Sequence, residues 1–89
     1  MDFNELNSEL YQLSAPHRFS KQPNDFDKGY LKMSNWLNDL CYYYEKRRKQ
    51  QENHDAEEFI GLVAEHKKKL LQLEDSDYKK GLLKAINKL

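Results

Sequence analysis

Residues 26–51 read FDKGYLKMSNWLNDLCYYYEKRRKQQ, a stretch of mostly good helix formers that no proline interrupts. Advancing about 100° per residue, Phe26, Tyr30, Met33, Trp36, Leu37, Leu40, Cys41, Tyr43 and Tyr44 fall within an arc of roughly 160°. The period predicts one long helix over about 26–51, capped by Asp25 or Asp27, with this seam turned to the core. At about 1.5 Å per residue it would run about 39 Å, far enough for its last turns to project past a small bundle.

Shorter elements follow on either side. Phe3, Leu6, Leu10 and Leu13 recur at steps of three and four, which predicts a helix over about 3–13 with Asp2 as its N-cap. Between them, 14–25 holds both prolines and no helical or strand period, so it reads as a loop. Downstream, Asn53-His54-Asp55 reads as a break, with Asp55 and Glu58 forming an Asp version of the capping box. A third helix is expected over about 56–74. Its apolar positions, among them Phe59, Ile60, Val63, Leu70 and Leu71, span about 180°, enough for two neighbours. Asp75-Ser76-Asp77 offers caps for a fourth helix over about 77–88, with Tyr78, Leu82, Ala85, Ile86 and Leu89 on one face. No segment alternates apolar and polar residues as a strand does. The expected fold is all-α, a small antiparallel bundle of three to four helices with one long central helix, in a single domain over 1–89.

Composition narrows the function classes. A chain of 89 residues buries only about 60–65% of its unfolded surface, which leaves little room for an enclosed active site, so an enzyme with a small-molecule substrate is not expected. Lys+Arg 15 balance Asp+Glu 15, which removes the net charge that drives bulk polyanion binding. The charges are unevenly spread: residues 1–45 carry four basic against seven acidic, and residues 46–89 carry eleven basic against eight acidic. Such a dipolar surface can orient association, including self-association. The single cysteine, Cys41, excludes an intramolecular disulfide and reads as a buried thiol. No stretch approaches 18 consecutive apolar residues, and Met1-Asp2-Phe3-Asn4-Glu5 has neither a basic start nor an apolar run. A cytoplasmic protein with no membrane contact is therefore expected.

Two constellations on the long helix stand out. Leu31 and Tyr42 leave the main seam yet differ by only about 20° in phase across three turns, forming a second small apolar stripe. That stripe either receives the loop carrying Phe19 or contacts another chain. Where the seam turns basic, Tyr43 precedes Arg47 by four residues and Tyr44 precedes Arg48 by four, with Lys46 and Lys49 alongside. Rings and guanidiniums so placed can hold phosphates or a partner's carboxylates, or the arginine stems can simply cover the rings.

The histidines read as ordinary loop, cap and boundary residues. His66 falls within the apolar arc of the third helix between Leu62 and Leu70, and no HExxH, CxxC or 2-His-carboxylate spacing occurs. Neither a metal nor a cofactor is expected. The isolated glycines, Gly29, Gly61 and Gly81, mark close helix packing or tolerated helical positions. The expectation is a small interaction or regulatory protein that binds another protein, or itself as a homodimer, through Leu31, Tyr42, Tyr43 and Tyr44. The alternative is a nucleic-acid accessory factor that uses Lys46, Arg47, Arg48 and Lys49.

Overall fold

The computed structural model describes residues 2–47 and 52–89. Five helices follow one another among them: α1 (Phe3–Leu13), α2 (Ala15–Arg18), α3 (Asp25–Glu45), α4 (Glu52–Leu71) and α5 (Asp77–Ile86). The architecture is a helical bundle built on one long helix, α3, and the described residues form no strand. None of these helices is long and apolar enough to cross a membrane.

Helix α1 has the expected bounds, and Asp2 accepts from the backbone N–H groups of Asn4 and Glu5. It lies antiparallel to α3. Near one end Phe3 stacks on Tyr44 at 5.4 Å, and farther along Asn38 Nδ2 donates to Asn7 Oδ1 at 2.6 Å and to its backbone carbonyl at 3.0 Å. Helix α4 is antiparallel to α3 as well: Glu58 meets Tyr44, and eight residues on His66 stacks on Trp36 at 4.3 Å. The core closes around Leu37, Cys41 and Phe59, with Leu10, Leu82 and Ile86 packed about them.

Helix α5 approaches α3 so closely that side chains are excluded at the crossing. A Cβ on Gly29 would collide with the Tyr78 carbonyl oxygen, and one on Gly81 with the Phe26 carbonyl oxygen. The two glycines face each other's backbones, and the approach holds only while both lack a Cβ. Gly61 on α4 meets nothing within 4 Å and is a tolerated helical glycine.

Several boundaries differ from the sequence reading. The loop over 14–25 contains one helical turn, α2, with Pro16 in its first turn where no N–H is needed. Asn24, rather than Asp25 or Asp27, caps α3: its side chain accepts from Asp27 N–H at 2.8 Å and Asp27 Oδ2 accepts from Asn24 N–H at 3.2 Å. Asp27 is thus the return arm of the box. Helix α3 stops at Glu45, six residues short of the expected end and about 32 Å long. The Lys46 N–H still donates to the Tyr42 carbonyl at 3.2 Å, and the Arg47 N–H donates to the Tyr44 carbonyl at 3.2 Å in a tightened last turn. Positions 48–51 lie outside the described residues.

The expected break at Asn53-His54-Asp55 does not occur, because α4 is already helical from Glu52. Asp55 points inward instead of capping, with its carboxylate buried against Arg47. At the other end α4 stops at Leu71 rather than Glu74. There Lys79 of α5 donates Nζ to the carbonyls of Leu71 at 3.2 Å and Leu73 at 2.8 Å, and to Asp75 Oδ1 at 3.0 Å. Ser76 caps α5, as the sequence offers, and α5 ends at Ile86 rather than at 88.

Candidate functional site

Three consecutive tyrosines at the end of α3 are sorted by their neighbours. Tyr44 is buried, stacked on Phe3 and edge-on to Phe59, and its hydroxyl donates to Glu58 Oε1 at 2.7 Å. Burial first, then the bond to Glu58, pushes its phenol up to about 12. Tyr44 therefore belongs to the core and offers no surface to a partner. Tyr43, expected in the inward seam, is 56% exposed and meets Tyr44 edge-on at 5.0 Å. The physical reason is a choice between adjacent residues about 100° apart, only one of which can meet Phe3. Tyr42, off the seam, is 57% exposed.

The basic turn is partly consumed by the fold. Arg47 Nε lies 3.5 Å from Asp55 Oδ1 and Arg47 Nη1 lies 3.8 Å from Glu58 Oε1, while its guanidinium carbon stands 5.8 Å and 5.7 Å from the ring centres of Tyr43 and Tyr44. It closes the helical end over two rings and two carboxylates. Lys46 Nζ sits 5.1 Å from the Tyr42 ring centre. Arg48 and Lys49, the rest of the expected cluster, lie outside the described residues.

Leu31 and Tyr42 do share a stripe of α3, and the positions between them at the same phase are Asn35 and Asn38. The stripe is therefore apolar at its ends and amide in the middle. Segment 14–25 covers it in part. Arg18 Nη2 donates to Asn35 Oδ1 at 3.1 Å and to Ser14 Oγ at 3.2 Å, and its guanidinium carbon lies 4.6 Å from the Tyr11 ring centre. Leu31 is half-buried, but Phe19 is 73% exposed and does not cover Tyr42. What remains open is a groove of about 700 Å³ between α1 and α3, bordered by Asn4, Asn7, Tyr11, Asn38, Asp39 and Tyr42. Carboxamides both donate and accept, so such a groove can pair with a peptide main chain, while the exposed rings supply apolar contact.

Comparison of the chain with protein-family models, with curated proteins and with solved structures finds no match. The geometry alone carries the reading.

Other polar constellations are ties within the fold. His17 Nδ1 and Asp27 Oδ1 are 2.6 Å apart, and the imidazole stacks on Tyr30 at 4.0 Å. This bond holds the Asp27 carboxyl below its ordinary value of 3.8, with the Asn24 backbone N–H assisting. His66 against Trp36 is held below the ordinary imidazole value, first by burial and then by Lys69. Burial, then the nearby Glu45, pushes the Cys41 thiol up to about 11, so it stays protonated at neutral pH. Asn35, Asn38 and Arg18 are the groove residues that an apolar period does not reveal. Phase finds the two asparagines, since 31, 35, 38 and 42 advance by four, three and four, whereas Arg18 reaches Asn35 from α2 and has no such signal.

Proposed function

We propose that this chain is a small non-enzymatic interaction protein of the cytoplasm, binding another protein through the α1 and α3 face that ends in Tyr42. The observation that carries this reading is the exposure of Tyr42 at the rim of an amide-lined groove that its own loop leaves open. A large aromatic ring held beside pairing groups is the kind of anchor on which protein interfaces concentrate their energy. Tyr43 stands next to it, and Leu31 closes the far end of the same stripe. No cofactor, metal or small substrate enters this function.

The test is affinity capture with the wild-type chain and with Tyr42→Ala and Leu31→Ala as matched baits, each checked for helicity. Loss of a central tyrosine costs about 2 kcal/mol, or about thirtyfold in affinity. A protein retained by wild type and lost from both variants supports the reading, whereas equal recovery from all three baits removes it.

The alternative, a nucleic-acid factor using Lys46, Arg47, Arg48 and Lys49, has less support because Arg47 already serves Asp55 and Glu58. Under that alternative, affinity for nucleic acid falls by orders of magnitude between about 50 and 200 mM salt, and Arg47→Glu with Arg48→Glu abolishes it.

A further inference from the structure

Helix α4 buries one side and leaves the other unused. Phe59, Val63 and Leu70 point into the core. On the outward side Ile60 is 56% exposed and Leu71 is 55% exposed, three turns apart and within about 20° of each other in phase. Ile60 borders an apolar groove of about 530 Å³ whose wall includes Leu6, Val63, Ala64, Ile86 and Leu89. An exposed isoleucine beside an apolar groove, with a leucine farther along the same side, marks a contact surface rather than isolated exposure.

The charge along α4 says what covers it. Its first seven residues hold Glu52, Asp55, Glu57 and Glu58 and neither Lys nor Arg, whereas its last five hold Lys67, Lys68 and Lys69 and no acid. Asp55 and Glu58 bond inward to Arg47 and Tyr44, whereas Glu57 is exposed near the acidic end and Lys68, about 20° from it in phase, is exposed near the basic end; Glu65, also exposed, lies about 80° round the helix from Glu57. Between Glu57 and Lys68 lies Gly61, open on its outer side. A helix acidic at one end and basic at the other matches a second copy of itself laid antiparallel, and a twofold axis makes every such contact twice. Antiparallel macrodipoles favour the same arrangement.

We propose that the outward face of α4 joins two copies of this chain, helix against antiparallel helix. Glu57 of each copy lies beside Lys68 of the other, and Ile60 packs on Ala64 of the other. This surface is separate from the Tyr42 face, so a dimer leaves the α1 and α3 groove free for another protein.

The experiment is sedimentation equilibrium of the purified chain over about 1 μM to 1 mM. The mass should climb with concentration from 10.7 kDa toward twice that value. Glu57→Lys and Lys68→Glu should each weaken the dimer at least about tenfold by setting like charges together, and the double exchange should restore it. Gly61→Arg, at a position with no neighbour within 4 Å, should keep its helicity and remain monomeric. Tyr42→Ala should leave the mass unchanged. A constant 10.7 kDa at every concentration overturns the proposal. So does a dimer indifferent to Glu57→Lys, Lys68→Glu and Gly61→Arg. A dimer lost on Tyr42→Ala also overturns it, by moving self-association to the α3 face, while leaving the reading of that face intact.

Discussion

Arg47 is the residue on which the end of α3 turns, because it answers a carboxylate that is otherwise buried without a hydrogen bond. Asp55 is buried, and its Oδ1 accepts no hydrogen bond and relies on the guanidinium 3.5 Å away. Removing the cation strands that charge, so Arg47→Ala should cost roughly 1–3 kcal/mol in urea unfolding. Asp55→Asn in the same background should recover part of the loss. A loss in the double variant equal to the sum of the losses in Arg47→Ala and Asp55→Asn alone would show that the pair is not coupled. Asp27 offers a pH test. Its carboxyl is held below its ordinary 3.8 by His17, so the folded state binds its proton less readily than the unfolded state. That contribution is fully present above 3.8 and is lost as pH falls through the lower folded value. In His17→Phe the Asp27 carboxyl, followed by NMR, should titrate closer to 3.8, and an unmoved titration would break the assignment.

At the scale of elements, the α3 and α5 crossing is held open to backbone contact by two glycines, and the three glycines of the chain should respond in opposite directions. Gly29→Ala and Gly81→Ala drive a methyl into a facing carbonyl and should each destabilise by about 1–3 kcal/mol. Gly61→Ala meets nothing and should raise stability by up to about 1 kcal/mol through helix propensity, measured at concentrations where the chain is monomeric. Lys79 closes the α4 to α5 turn through the carbonyls of Leu71 and Leu73, and Lys79→Met should cost about 1–2 kcal/mol in the same assay. The helical periods of α1, α3 and α5 were legible because apolar spacing alone reports which face turns inward. The ends were not. Glu45 ends α3 where the chain turns to bring Arg47 to Asp55, and Leu71 ends α4 where Lys79 takes its carbonyl, each partner lying eight residues on in the next helix, beyond the reach of a local period. A possible cap at Asp55 likewise yielded to the demand for a partner to Arg47, a tertiary override of a local signal.

At the scale of the molecule, the surface divides into two candidate faces, an aromatic and amide face on α1 and α3 and a charge-striped face on α4. Of the first, the sequence showed the ends, Leu31 and Tyr42, through their shared phase; Asn35 and Asn38 between them carry the same phase without apolar character. Tyr43 and Tyr44 could not be told apart by phase, because the ring that separates them, Phe3, comes from another helix. The dipolar distribution of charge, with four basic against seven acidic residues over 1–45 and eleven against eight over 46–89, accords with oriented docking of protein on protein. The most direct measurement of that claim is light scattering of the purified wild-type chain over a concentration series, at about 50 and 300 mM salt, with the ultraviolet absorbance ratio of the same peak. The expected result is a mass that rises above 10.7 kDa with concentration and a protein-only absorbance at both salts. A protein that stays at 10.7 kDa at the higher salt, and at the lower salt gains mass only together with nucleic-acid absorbance, would contradict the account.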